Sequence, residues 1–247
     1  MKKLLLSSIA IACLSSAAVA ADLPQSYMKA PIAPAWSWTG SYVGLNVGYG
    51  VSRSDSSDNF LSPAGVVALG GSNRLAADGV LGGAQIGYNW QTSPTWLWGV
   101  EADFQGANIK GSSQVVLPPI VMNLESKVNW FGTVRGRLGY IVNPATVAYV
   151  TGGFAYGETQ LSANNNFGDV GAAGTAKQTR GGYTVGGGME TRLSGNWSVK
   201  AEYLYVNLGN ASINAPTSIN FPSVAFTQVG SVQEQFHVVR AGLNYRF

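Results

Sequence analysis

Eight segments of the chain alternate apolar or aromatic residues with small or polar ones, and this alternation constrains the fold more than any other feature. Side chains of a β-strand point alternately to opposite faces, so each segment predicts a strand with one apolar face. Each is about as long as, or longer than, the ~9–11 residues that a tilted strand needs to cross a bilayer. The segments are Tyr42–Val51, Leu81–Trp90, Trp96–Asn108, Lys127–Ile141, Val147–Thr159, Tyr183–Leu193, Trp197–Asn207 and Val232–Phe247.

The connections between these segments alternate strictly in length. Three are short and contain turn-forming Pro, Gly or Asn: 91–95, 142–146 and 194–196. Four are long and cover roughly 52–80, 109–126, 160–182 and 208–231. Short turns at one end and long loops at the other are typical of bacterial outer-membrane barrels. The pattern predicts an all-β fold, an eight-stranded antiparallel up-and-down transmembrane β-barrel over residues 41–247.

A soluble β-sandwich also alternates, so the placement of aromatic residues decides between the two folds. Aromatic residues gather near both ends of the strands, as the two membrane interfaces favour, and this predicts that the apolar face meets lipid. The set at the short-turn end, which we call the turn-side girdle, is Trp38, Tyr42, Trp90, Trp96, Tyr140, Tyr149, Trp197 and Phe247. The set at the other end, the loop-side girdle, is Tyr49, Phe104, Trp130, Tyr156, Tyr183, Tyr205 and Phe236.

The strand faces opposite to the apolar ones carry charged residues, which a membrane barrel would enclose. Side chains just fill the interior of an eight-stranded barrel, so the enclosed charges are expected to pair and plug the lumen. A narrow ion-conducting pore is the alternative, because inner-face glycines such as Gly83 and Gly186 leave space. The predicted lumen charge network is Glu101, Asp103, Arg135, Arg137, Glu190, Arg192, Lys200, Glu202, Arg240 and Arg246.

The first residues, MKKLLLSSIAIACLSSAAVA, have the features of a secretory signal peptide. They predict a signal peptide over residues 1–20, cleaved near Ala20, and an extended periplasmic leader over 21–40. The apolar core is shorter than the ~18 residues of a membrane anchor. Cys13 lies inside that core, which argues against a lipoprotein. Removing Lys2 and Lys3 from the 15 basic residues leaves 13 against 12 acidic ones, so no nucleic-acid partner is expected.

No arrangement typical of an enzyme, a metal site or a cofactor site stands out. The sequence contains a single histidine, His237, in phase with the outward Val239, and no partner for catalysis is evident. We therefore expect no catalytic residue, no metal and no cofactor. The connection 208–231 carries no charged side chain. It is either a contact surface for a partner or an apolar ligand, or an extension of the last two strands as a β-ribbon.

Three motifs resemble the small outer-membrane proteins of alphaproteobacteria, a family often labelled porin-like or outer-membrane immunogenic. They are AADLP after the signal peptide, WSWTGSYVGLNVGYG at the start of the barrel and VVRAGLNYRF at its end. The chain is also similar to the eight-stranded transmembrane domain of OmpA. The resemblance implies an envelope protein surrounded by outer-membrane lipid and lipopolysaccharide, with loops that contact hosts or phage. Some relatives bind haemin, but His237 has no second ligand to accompany it here.

The resemblance also implies an assembly role for the last strand, because the barrel-assembly machinery reads a terminal aromatic strand in this family. The implied assembly signal is Val239, Ala241, Leu243, Tyr245 and Phe247. The expected function is structural and interactive, with a small porin or a ligand-binding barrel as the alternatives.

Overall fold

The computed structural model describes residues 36–61, 67–117, 120–167, 170–221 and 224–247. Eight antiparallel strands pair in chain order, and β1 also pairs with β8, which closes the barrel and confirms the predicted fold. The strands are β1 Gly40–Leu61, β2 Val67–Gln91, β3 Trp96–Leu117, β4 Ile120–Asn143, β5 Thr146–Phe167, β6 Val170–Arg192, β7 Trp197–Phe221 and β8 Val224–Arg246. The predicted signal peptide and residues 21–35 of the predicted leader lie outside the described residues. Within the described ranges, no helix is long and apolar enough to cross a membrane.

Tight turns join the strands at one end, where the three short connections were predicted. After β2, the backbone N–H of Thr92 donates to the carbonyl of Trp96 at 3.1 Å. Between β6 and β7, Gly195 has a φ of 56°, a left-handed conformation that glycine adopts without a steric cost. These turns fix the strand register, which places the charged faces side by side.

At the other end the strands extend far beyond the length that a bilayer requires. Each strand has 22 to 25 residues, about twice the spanning length. The prediction of long loops was therefore wrong for most of the four connections. For 208–231 the alternative of a β-ribbon is confirmed. Beyond the membrane the outer face of the strands contacts water, so the apolar alternation is no longer required while the backbone pairing continues.

A β-bulge in β4 changes which face its outer part presents. The register shifts between Val128 and Trp130, so Asn129 is an extra residue relative to β5. An inserted residue reverses the phase of the alternation. In the sequence Val128 alternates in phase with the outward Trp130, which predicts that it faces lipid. Because of the bulge it is 3% exposed and lies inside the barrel.

Candidate functional site

The lumen charges form a network whose centre is Arg135 on β4. Its Nη1 donates to Oε1 of Glu202 at 3.0 Å. Its Nη2 donates to Oδ2 of Asp103 at 3.0 Å and also to Glu101. Since these carboxylates lie on β3 and β7, one guanidinium group joins opposite sides of the barrel wall. Arg135 is only 2% exposed, so the contacts are enclosed.

Lys200 and Arg240 complete a balanced set of charges around the three carboxylates. The Nζ of Lys200 lies 2.8 Å from Oε1 of Glu101. The Nη2 of Arg240 lies 2.5 Å from Oε2 of Glu202 and 3.0 Å from Oδ2 of Asp103. Pairing of three cations with three carboxylates offsets much of the desolvation cost of this central cluster. The central cluster is Glu101, Asp103, Glu202, Arg135, Lys200 and Arg240.

A second group, the turn-side cluster, surrounds the carboxylate of Glu190. The Nη2 of Arg137 donates to Oε2 at 2.5 Å. The Ser198 hydroxyl and the Asn244 amide donate to Oε1 at 2.6 and 3.0 Å. The Nη2 of Arg246 lies 3.9 Å from the same oxygen. Both oxygens of this buried carboxylate therefore have partners.

Two buried tyrosines connect these clusters. The Tyr42 hydroxyl donates to Oε2 of Glu101 at 2.7 Å, and the Tyr149 hydroxyl donates to Oε1 of Glu202 at 3.1 Å. The guanidinium of Arg137 lies 3.9 Å from the centroid of the Tyr149 ring. The prediction that both tyrosines belong to the turn-side girdle is wrong. They face the lumen, where the ring fills space and the hydroxyl bonds a buried carboxylate.

Trp38 lies buried at the turn-side end of the lumen and is 1% exposed, so its assignment to the turn-side girdle is also wrong. The Arg246 guanidinium lies 5.1 Å from its ring centroid and donates through Nη1 to its backbone carbonyl. The cation over the indole favours the buried position of the Trp38 side chain.

Arg192 lies half-buried at the end of β6, where its Nε donates to the carbonyl of Gly195 at 3.4 Å.

The remaining members of the turn-side girdle lie on the outer wall. Trp90 stacks on Trp98 with ring centroids 4.1 Å apart, and Trp96 contacts Tyr140 edge-on at 5.3 Å. The residues of the implied assembly signal face outward along β8 and at Phe247, the residue after it. Val239 is 65% exposed and Phe247 is 71% exposed. The outward girdle residues are Trp90, Trp96, Tyr140, Trp197 and Phe247.

Beyond the central cluster, toward the extended ends of the strands, apolar side chains fill the lumen. Phe131 and Phe236 meet edge-to-face with centroids 5.2 Å apart. The prediction that Phe236 belongs to the loop-side girdle is therefore wrong. The charged inner faces predict a polar lumen, and the apolar layer differs from that expectation. The apolar layer is Ala77, Leu81, Ile109, Val128, Phe131, Ala155, Leu204, Val206, Leu208, Phe236 and Val238.

Glu234 is a buried carboxylate beyond the apolar layer, on the part of β8 outside the membrane-spanning region. It is 4% exposed, and its Oε1 accepts a hydrogen bond from the Ser126 hydroxyl at 3.1 Å. Burial raises the pKa of the Glu234 carboxyl above its ordinary value. The Ser126 hydrogen bond and the charge of Arg180 oppose that rise.

We predict that Glu234→Gln stabilises the barrel at neutral pH. The folded state holds the Glu234 proton more tightly than the unfolded state, so the free energy of unfolding falls as pH rises through the folded-state pKa. Glutamine removes the buried charge and should add about 1 kcal/mol. Urea midpoints at about pH 4 and pH 7 test this, because the gain should shrink at the lower pH. An equal gain in the urea midpoint at both pH values would contradict the role of Glu234 ionisation.

The lone histidine lies on the outer wall. His237 is exposed, and its Nδ1 lies 2.6 Å from the Tyr203 hydroxyl. Among the side chains that the structure describes, no group of three or more His, Cys, Asp and Glu residues could hold a metal ion.

The sequence is similar to known outer-membrane proteins over its whole length. Residues 7–247 match the family model described as "Outer membrane protein beta-barrel domain". The chain is 38% identical over 251 positions to the 31 kDa outer-membrane immunogenic protein of Brucella melitensis, covering 100% of both. It is 32% identical over 183 positions to the 22 kDa outer membrane protein of Rhizobium leguminosarum bv. viciae, covering 72% of this chain and 68% of that protein.

A solved structure supports the fold. The barrel is similar to the outer membrane protein OprG from Pseudomonas aeruginosa, with a TM-score of 0.55 and 16% sequence identity. The match covers 85% of this chain and 96% of that chain. With the sequence relatives, these findings confirm the outer-membrane location and the alphaproteobacterial resemblance. The chain belongs to the outer membrane protein β-barrel domain family.

Proposed function

We propose that this protein is a structural outer-membrane barrel that makes surface contacts, and that its lumen is closed to ions. The observation that carries the proposal is the central cluster, in which Arg135 bonds carboxylates on β3 and β7. An ion moving through the lumen would separate these buried pairs, and losing one partner of such a pair costs about 3–5 kcal/mol. The proposed role of the protein is neither that of an enzyme nor that of a porin.

The apolar layer supports the same proposal because it is a second closure in series with the charges. An ion passing Phe131 and Phe236 would lose its water without gaining polar partners, which is costly. A rearrangement that opened the charged level would leave the apolar level shut. The central cluster and the apolar layer would therefore both block the passage of an ion through the lumen.

Inner-face glycines do not supply the space that a pore requires. A Cβ atom at Gly87 would lie 2.4 Å from the Tyr42 ring, and one at Gly188 would lie 2.8 Å from the Tyr149 hydroxyl. These glycines accommodate tyrosine side chains that reach the central cluster. The absence of a side chain at these positions thus favours closure.

Single-channel recording on the purified, refolded chain tests the proposal. We expect no discrete current steps in planar bilayers when insertion has been verified by flotation of vesicles from the same preparation. Steps that are stable, ion-selective and altered by Arg135→Gln or Glu101→Gln would contradict a closed lumen and support a small porin.

The proposed partners follow from position on the barrel. Outer-membrane lipid and lipopolysaccharide would surround the outward girdles, and the barrel-assembly machinery would contact β8. The strand extensions would provide host or phage contacts. Neither a nucleic acid nor a cofactor is part of the proposal.

A further inference from the structure

The residues just before β1 turn into the lumen instead of continuing along the barrel wall. Gly40, the first residue of β1, has a φ of 138°, a conformation that residues with a side chain rarely adopt. A Cβ atom at Gly40 would lie 3.2 Å from the carbonyl oxygen of Phe247. Beyond this turn Trp38 is buried, while the residues on either side of it are exposed. We call residues 37–39 the strap.

The strap is bonded to the strands on both sides of β1. On β2, the backbone N–H of Trp38 donates to Oε1 of Gln91 at 3.0 Å, and the backbone N–H of Gln91 donates to the Thr39 hydroxyl at 2.9 Å. On β8, Arg246 donates through Nη1 to the carbonyl of Trp38. Since β1 lies between β2 and β8 in the barrel, the strap joins these two strands across the start of β1.

Arg246 is held in place by the turn between β6 and β7. Its backbone N–H donates to the carbonyl of Asn196 at 2.9 Å, and its carbonyl accepts the Asn196 side-chain amide at 2.8 Å. Its guanidinium lies 5.1 Å from the ring centroid of Trp38 and 5.6 Å from that of Tyr42. A cation beside aromatic rings is favourable, more so where water is excluded. These contacts therefore hold the residues at the start of the barrel against its last strand.

The seam between β1 and β8 differs from the other pairs of neighbouring strands. Every other pair is consecutive in the chain, so a connecting segment limits how far its two strands separate. β1 and β8 are the first and last strands, and non-covalent contacts alone hold them together. At the turn-side end, Tyr42 pairs with Arg246, and the Phe247 N–H donates to the Ser41 carbonyl at 3.0 Å. The barrel can open at this seam without stretching any connecting segment.

The positions of its partners in the chain indicate when the strap docks. Gln91 is 53 residues from Trp38, whereas Arg246 is 208 residues away. The Arg246 side of the docking site forms only when β8 lies beside β1. Closing a longer loop costs more conformational entropy, so contacts of large sequence separation form late in folding. Docking of the strap is therefore expected to follow the closure of the barrel.

We propose that the strap is a hinged latch, which docks after β8 has paired with β1 and then slows the opening of the seam. Gly40 is the hinge, Trp38 is the side chain that inserts, and Arg246 holds it. The latch acts from inside the lumen, on the face of the seam that lipid does not contact. It goes beyond the closed-lumen proposal because it concerns how the barrel stays shut at one strand pair and not whether ions pass.

Amide hydrogen exchange of the refolded chain in lipid vesicles tests the latch, since exchange reports local opening. Trp38→Ala should speed exchange at the turn-side end of the seam, in residues 41–45 and 242–247, by roughly 10- to 100-fold. Exchange at the same end of the β4–β5 pair should stay close to wild type. Leu97→Ala is the matched control because Leu97 is 1% exposed at the same end of the lumen, on β3. It should leave exchange at the seam unchanged.

Unfolding and refolding rates test the order of events. A contact that forms after the rate-limiting step changes the unfolding rate and leaves the refolding rate unchanged. Trp38→Ala should therefore unfold roughly tenfold faster or more, and refold at close to the wild-type rate. Trp38→Phe should show the same pattern with a smaller change, so the test does not depend on folding of the alanine variant.

Gly40→Ala tests the hinge. It should speed exchange at the seam in the wild-type background, because the docked strap requires the φ of 138°. It should add little to Trp38→Ala, in which the strap no longer docks. Equal effects of Gly40→Ala in both backgrounds would contradict the hinge.

Three results would overturn the latch. One is a uniform rise of exchange around the barrel in Trp38→Ala, and another is the same seam effect in Leu97→Ala, since either would make Trp38 an ordinary packing residue. The third is slower refolding of Trp38→Ala at an unchanged unfolding rate, because the strap would then dock before closure. Conductance is measured separately, so failure of the latch is distinguishable from failure of the closed-lumen proposal.

Discussion

Exchanging Glu202 for glutamine is expected to lower the free energy of unfolding by about 3–5 kcal/mol. Its carboxylate accepts hydrogen bonds from Arg135, Arg240 and Tyr149 in an enclosed lumen. Glutamine has nearly the same size, so packing changes little. The central cluster would then hold three cations and two carboxylates, and one buried positive charge would lack a counter-charge.

Adding Arg240→Gln to this variant is expected to restore part of the lost stability. The central cluster would return to two carboxylates, Glu101 and Asp103, with two cations, Arg135 and Lys200. The interaction free energy between the two positions should therefore be large and favourable to the double variant. We expect the double variant to be more stable than Glu202→Gln alone.

Urea unfolding of the refolded proteins in lipid vesicles, followed by tryptophan fluorescence, measures these differences. Glu125→Gln serves as the control because it removes an exposed carboxylate from β4, and it should change stability by less than about 0.5 kcal/mol. If the single and double variants unfold alike, the lumen charges do not compensate one another and the paired-lumen model is wrong.

The sequence alone was sufficient to predict which strands exist and which charged residues share their inner faces. Glu101 and Glu202 alternate with outward Trp98, Val100, Tyr203 and similar residues, and lipid tolerates only the apolar face. Their partners were not predictable in the same way. Lys200 and Glu101 are 99 residues apart in the chain. Their contact depends on the stagger between strands, which alternation does not encode.

The aromatic errors have a common physical origin. Position near a strand end predicts a girdle residue only when the residue also lies on the outer face of its strand. Tyr42 alternates in phase with Asn46, and Phe236 with Arg240, so strand phase would have placed both inside. An aromatic ring suits a lipid interface and a crowded lumen equally well. The bulge at Asn129 is different, since neither a glycine nor a proline marks it in the sequence.

Deleting Phe247 is expected to reduce the amount of assembled barrel in cells several-fold while changing the finished fold little. The ring is 71% exposed and contacts Tyr245 with centroids 5.3 Å apart. Its backbone N–H donates to the carbonyl of Ser41 at 3.0 Å. Loss of one such hydrogen bond costs about 1 kcal/mol, so the refolded variant should melt close to wild type.

The comparison that isolates recognition from hydrophobicity uses Phe247→Ser and Leu193→Ser, because Leu193 is 58% exposed at the same end of the barrel. Both substitutions remove lipid-facing apolar surface, but only Phe247 belongs to the implied assembly signal. Membrane fractionation of expressing cells should show a loss for Phe247→Ser, recovery for Phe247→Tyr and near-normal levels for Leu193→Ser. Equal losses for the two serine variants would assign the effect to lipid contact. Normal assembly of the variant that lacks Phe247 would contradict the role of β8 as the strand that the assembly machinery recognises.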